Sequence, residues 1–410
     1  MTRANPRPRA PRPAGGARLP FELAPAISVV GLVVIAAVSF ALLGGSLPSI
    51  AGPGDGGPGG PVRTPTPSNV IVVPDDPRAK VPGEILYVKD GNVWVQSGTS
   101  ARQLTTGGKG SMPTWSPDGT SIYFVTTAAK TGKWPSAGEI RTYNLTVPSL
   151  VTLPSDGSGQ PQVLLTGLVT KGSNTWSYFI RQPSISPDGT KAAIITDGPD
   201  PTKSNVVLKV VDLAAGSITD PKLGESQGLG HQDPAWSPDG SSILFTRNNR
   251  EGSRGTPAIY RYNLATGKST ALTGPGYMTP AWSRDGRYVV ATKTSTFGTD
   301  VVILDAATGA ELLRVTKDES SFNPVWSPAG DAVAFFRVEH GVVDLYLVPL
   351  TGTPGAWTAG DALALTINAG LTASSRPAWF IPADQLPPLP TPTPVVTVAP
   401  SGAPSGSKAP

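Results

Sequence analysis

Nine side chains stand where binding chemistry could be done: Arg181, Gln182, His231, Gln232, Asp233, Tyr277, Phe322, Asn323 and Arg376. Each lies one to three residues ahead of a proline that opens a recurring segment, and they differ from one segment to the next while the segment itself is kept. Guanidinium groups at 181 and 376 suit an acidic group of a partner. Tyr277 and Phe322 suit a role as anchors in a desolvated contact. The set describes a non-catalytic binding surface for a protein, peptide or glycan. A solvated rim without a ligand is the plainer alternative.

Catalysis by the same set is the second alternative. A lyase or glycosidase needs convergent carboxylates, and here Asp233 stands alone. The chain has 2 His and no Cys, which removes disulfides, thiol nucleophiles and Cys-ligated zinc. Gly224-Glu225-Ser226-Gln227-Gly228 matches G-x-S-x-G, but a nucleophile elbow needs a strand before it and a helix after it. Pro234 opens the next recurring segment six residues after Gly228, which leaves no room for that helix. No D-x-D-x-D-G calcium loop is present. No metal and no cofactor is expected.

The elements that position these residues are written as repeats. Prolines 113, 183, 234, 280, 324 and 377 open similar segments, spaced by 70, 51, 46, 44 and 53 residues. The segment reads Pro-Thr-Trp-Ser-Pro-Asp-Gly at 113, Pro-Ala-Trp-Ser-Pro-Asp-Gly at 234, and Pro-Ala-Trp-Ser-Arg-Asp-Gly at 280. Ser-Pro-Asp-Gly is a type I turn with proline pre-set at its second position and glycine in the left-handed position that follows. An apolar strand comes next, as in Ile122–Val125 or Val333–Phe335, and two more strands complete each repeat. A tryptophan at one register in five segments (115, 236, 282, 326, 379) is a packing residue. The aspartates at 118, 188, 239 and 285 are turn acceptors, and Asp331 stands in for the acid that the segment at 324 lacks.

Four strands per repeat is the arithmetic of a propeller blade. Residues 84–105 supply three strands with no segment before them, and residues 375–381 supply one strand with no blade after it. Together they make one more blade. The sequence therefore predicts an all-β, six-bladed β-propeller over 84–385, with its C-terminal strand closing the N-terminal blade. The Pro-x-Trp-Ser-Pro-Asp-Gly segments resemble the WD40-like (PD40) repeats of the TolB-type six-bladed propellers. The family's namesake carries an α/β domain ahead of its propeller. Here other segments take that place, so the resemblance implies the repeat architecture.

Those segments set the expected address. Residues 26–47 are 22 uncharged residues, long enough as a helix to cross a bilayer core of about 30 Å. Five arginines and one glutamate precede them, and no lysine or arginine follows until Arg63. The positive-inside rule places the basic tail, 1–25, in the cytoplasm and the propeller outside. The expectation is a single-pass anchor, a cleaved signal leading to a secreted or periplasmic protein being the alternative. The net charge of +4 is that of the tail, so the body is neutral and carries no electrostatic footprint for nucleic acid. Residues 51–83 read as a Pro/Gly-rich linker and 386–410 as a Pro-rich tail. The expected partners are thus an extracytoplasmic ligand and, through the N-terminal helix, the membrane. The propeller itself is expected to be monomeric.

Overall fold

The computed structural model describes residues 75–389, apart from 137, 203–204, 222, 224–229 and 249–255. The expected membrane span, most of the linker, the Gly224–Gly228 motif and the tail beyond 389 lie outside the described residues. Among the described residues no helix is long and apolar enough to cross a membrane.

Six antiparallel sheets follow one another around a ring. Blade 1 joins Ala378–Phe380 to Glu84–Lys89, Asn92–Ser97 and Ser100–Gln103. The inner strands of blades 2 to 6 are Gly110–Trp115, Arg181–Ile185, His231–Trp236, Tyr277–Trp282 and Ser321–Trp326. Each is followed outward by the later strands of its repeat, and the inner strands of successive blades touch around a central channel. The closure is the one the repeat arithmetic predicts: Ile85 pairs with Trp379 and Leu86 with Ala378, joining the two ends of the propeller. Closing the ring leaves no unpaired inner edge.

The turn chemistry explains why each inner strand stops where it does. Ser116, Ser186, Ser237 and Ser283 donate their hydroxyls to Asp118, Asp188, Asp239 and Asp285 at 2.5–2.6 Å. Ser327 donates instead to Asp331 at 2.7 Å, the expected substitution. The glycine after each turn has φ between 70° and 84°, a conformation that a Cβ would strain.

The core is divided among the blade junctions. Six apolar clusters each span two neighbouring blades. Successive strand residues point to opposite faces: Leu86 and Val88 pack toward blade 2, whereas Ile85 and Tyr87 pack toward blade 6. Both faces of the middle strands are covered, so strands such as Lys191–Thr196 and Tyr288–Thr294 read as continuous apolar runs and not as an alternation, while the outermost strands are exposed.

Blade 2 departs from the others. Its second and third strands, Ser121–Ser136 and Glu139–Pro154, are 16 residues each. Pairing with the inner strand ends at Gly110 opposite Thr126, and ten further residues run on as a hairpin beyond the mouth end of the blade. A second hairpin, Leu168–Lys171 with Asn174–Ser177, joins it through Lys133 opposite Thr175. This arm is what stretches the first repeat spacing to 70 residues.

Candidate functional site

The residue before the opening proline has a left-handed backbone in five blades: Met112, Gln182, Asp233, Thr279 and Asn323 all have φ between 50° and 54°. A residue ahead of proline ordinarily prefers an extended backbone, and a non-glycine residue held here costs about 1–3 kcal/mol. The register slips at the same place in each inner strand. Such a bulge turns the backbone N–H out of its own sheet.

Each freed N–H finds a side chain of the blade before it. Met112 donates to Ser375 Oγ at 3.1 Å, Gln182 to Met112 Sδ at 3.1 Å, and Asp233 to Gln182 Oε1 at 3.0 Å. Thr279 donates to Thr246 Oγ1 and Asn323 to Thr292 Oγ1, both at 3.1 Å. Asn323 Nδ2 then reaches the Ala373 carbonyl at 2.7 Å, ahead of the closing strand. The mouth of the channel is a belt of hydrogen bonds from blade to blade.

The structure brings Gln182, Asp233 and Arg376 together. Gln182 Nε2 donates to Asp233 Oδ1 at 2.6 Å, and Thr246 Oγ1 donates to Asp233 Oδ2 at 3.3 Å. Arg376 enters from blade 1 and donates Nη1 to the Pro280 carbonyl of blade 5 at 2.8 Å. Burial pushes the Asp233 carboxyl up and pulls Arg376 down, and each charge partly offsets the burial of the other. Arg376 remains cationic and fills the channel as an internal counter-charge.

Apart from Asn323 in the belt, the other expected residues do not join this cluster. His231 is 1% exposed and packs on Phe245 with ring centroids 4.6 Å apart. Its Nδ1 accepts the Leu208 N–H at 3.1 Å, and burial, helped by Arg247, drives its pKa down to about 3. Phe322 is 4% exposed, edge-on to Phe336 in the junction between blades 6 and 1. Both side chains sit in blade junctions, His231 against blade 3 and Phe322 against blade 1, and not in the channel. Tyr277 donates to Glu311 Oε2 at 3.1 Å and lies under the Lys293 ammonium. Arg181 stacks over Phe179 at 4.7 Å, and burial lowers its pKa against the pull of Asp197. Gln232 is half-buried at the mouth. Among the described residues no group of three His, Cys, Asp or Glu could hold a metal ion.

Sequence reasoning missed two sets of residues. Thr246 and Thr292 serve the belt from the second strand, signalled by a threonine ahead of a basic residue in consecutive repeats. The arm carries exposed Trp134, Ile140 and Tyr143, the first with its ring edge-on to Trp176 at 5.5 Å. The 70-residue spacing was the signal for that insertion.

A closed ring of six antiparallel blades, belted at one mouth and sealed by its last strand, defines a six-bladed β-propeller. A family profile described as the TolB beta propeller domain (PD40) matches residues 151–356, half of the chain, and the chain belongs to that family. Among solved structures it is similar to TolB from Acinetobacter baumannii, with a TM-score of 0.51 and 22% identity over 72% of this chain and 66% of that one. It thus spans just under two thirds of the Acinetobacter protein. It is also similar to a putative TolB from Agrobacterium tumefaciens, with a TM-score of 0.52 and 18% identity over 74% of this chain and 95% of that one. A chain of the nidogen/laminin complex shares the fold at a TM-score of 0.50 and 11% identity, over 72% of this chain and 97% of that one. At these identities the likeness is one of fold. No curated protein matches the chain in sequence.

Proposed function

We propose that the chain is a membrane-anchored, extracytoplasmic propeller that binds a protein, peptide or glycan without converting it, at the face of the channel mouth. The observation that carries this reading is the arm of blade 2. Its register puts Trp134 opposite Arg141, Gly132 opposite Tyr143 and Lys130 opposite Leu145, so two aromatic rings and two cations share one face. Trp134 is 36% exposed, and Ile140, on the other face, is 50% exposed. Exposed aromatic side chains beside cations are what a binding contact uses, and the contact of Trp134 with Trp176 still leaves Trp134 36% exposed and Tyr143 37% exposed. The arm projects past the same end of the propeller at which Arg181 and Gln232 lie. The belt below supplies a rigid platform, the usual setting for binding groups on protruding segments. The anchor rests on the one-sided arginines and the 22-residue apolar run.

The test is capture from a native envelope extract with the full chain in mild detergent. The Trp134→Ala/Tyr143→Ala variant should lose the captured ligand, and Arg181→Ala/Gln232→Ala should weaken it. Capture unchanged in both variants overturns the reading. The address is tested separately. The chain has no cysteine, so Ser111→Cys introduces a single thiol, which a membrane-impermeant reagent should label on intact cells.

A further inference from the structure

The repeat turns lie on the face opposite the mouth, and from blade 2 to blade 5 they pack in series, a series that stops at the turn of blade 6. The Pro117 ring lies 3.8 Å from where a Cβ on Gly189 would stand, Pro187 stands 3.9 Å from the same point on Gly240, and Pro238 3.8 Å from that on Gly286. The turn prolines of blades 2, 3 and 4 thus pack on the turn glycines of blades 3, 4 and 5. The next proline in the series is replaced by Arg284, and nothing lies within 4 Å of the corresponding point on Gly330. At this break the end of the described chain crosses the turn face: Arg284 Nη1 donates to the Pro387 carbonyl at 2.7 Å.

Beside Arg284 a groove of about 670 Å³ runs between blades 4 and 5, and Leu389, the last described residue, lines it. Its walls are the rings of Trp282 and Tyr288, with Arg261 and Arg287 each stacked at 5.3 Å from a ring centroid. Its carboxylates are already engaged. Asp239 accepts from Ser237 and Ser241, Asp285 from Ser283 and Arg287, and Asp305 from Ala307 and Thr308. Arg261 donates to the Ala306 carbonyl and Arg287 to Asp285, so the donor that the groove offers an occupant is Arg284, beside the rings of Trp282 and Tyr288. A proline-rich strand is the matching occupant. It offers carbonyl acceptors, carries few N–H groups to satisfy, and enters its extended helix at little entropic cost. The chain continues from Leu389 as Pro390-Thr391-Pro392-Thr393-Pro394. At about 3.1 Å per residue a polyproline helix of five residues spans roughly 15 Å.

We infer that the groove is a polyproline site occupied in cis by the chain's own segment 387–394, with Arg284 as its gatekeeping donor. The turn proline given up at 284 is exchanged for a tether that holds the C-terminus on the turn face and leaves the mouth clear.

The absence of native cysteine makes the test direct. In the full chain, Thr391→Cys is combined either with Ala307→Cys at the groove or with Ser111→Cys at the mouth, and the rate of intramolecular disulfide formation is measured. The groove pair should close at least tenfold faster. Arg284→Pro, which restores the turn of the other repeats, should fold normally and abolish that preference; Arg284→Ala should do the same. Equal rates for the two pairs, or a preference that survives both Arg284 variants, overturns the inference. Cross-linking between two chains in place of closure within one also overturns it, since the occupant would then be a second copy.

Discussion

Arg376 reaches from the last inner strand across the channel to the carbonyl of Pro280, two blades away, at 2.8 Å. Asp233, on the blade facing it, supplies the nearest opposing charge. The closing strand is thus held by its edge pairing and also by a cation inserted into the middle of the ring. Replacing Arg376 by Met keeps the volume of the stem but leaves the Pro280 carbonyl unpaired and Asp233 without a counter-charge. A buried acceptor left unsatisfied costs about 1–3 kcal/mol, and an uncompensated buried charge costs more. Arg376→Met should lower stability by about 3 kcal/mol in urea denaturation. Adding Asp233→Asn should restore part of the loss, because the stranded carboxylate is then removed. A double variant as unstable as the sum of the two single ones would show the two groups to be independent.

The turn aspartates set the acid limit. The Ser186 hydroxyl and then the Thr190 N–H hold Asp188 down at about 2, and the same pattern of donors holds Asp118 and Asp239 below the ordinary 3.8. These carboxyls are depressed in the folded state, so their contribution is present above about pH 4 and drains away as pH falls toward 2. Far-UV circular dichroism should show unfolding setting in within that window. Asp188→Asn, which cannot titrate, should be less stable at neutral pH and should show a shallower fall through the same window.

His231 adds a second, higher window. It is buried neutral, with its pKa moved from 6.5 to about 3, so the unfolded chain binds the proton first. Its contribution is complete above pH 6.5 and declines as pH falls, by about 1.4 kcal/mol per pH unit. Between pH 6.5 and 5 the loss is about 2 kcal/mol. Gln at 231 can still accept the Leu208 N–H but cannot be protonated. The urea midpoint of the parent chain should drop between pH 7 and 5, while that of His231→Gln should stay nearly level over the same range.

The parts of the fold that repeat were readable, because repetition separates structural residues from the rest. The Ser-Pro-Asp-Gly turns, the Asp331 substitution and the closing strand follow from local turn chemistry and from counting strands. The mouth was harder to read. The prolines located it, but the left-handed bulge before each proline is a property of the assembled ring, paid for by hydrogen bonds to a neighbouring blade. Position alone could not distinguish Asp233, which the left-handed bulge turns into the belt, from His231, two residues earlier, which is buried against Phe245 and Leu208 in a junction. Arg376 read as a free cation because its partner, the Pro280 carbonyl, lies 96 residues away in sequence. The arm was visible as extra length, but its pairing depends on a second hairpin with no repeat to mark it.

The closing strand also carries the strongest stability prediction. Trp379 is buried in the junction of blades 1 and 6, and its indole donates to the Pro82 carbonyl at 2.9 Å, tying residues 297 apart in sequence. Truncating a buried aromatic costs about 3–5 kcal/mol. Trp282 occupies the same register in blade 5 and donates to Ala235 at 3.1 Å, but it is only half-buried and its blade is held by continuous chain on both sides. Trp379→Ala should therefore lower the urea midpoint more than Trp282→Ala. It should also raise amide exchange in Glu84–Lys89, the strand left with a loosened partner, while the same strand in Trp282→Ala keeps its protection. Equal exchange in the two variants would mean that closure does not depend on this side chain, and the inserted guanidinium of Arg376 would then be the main lock on the ring.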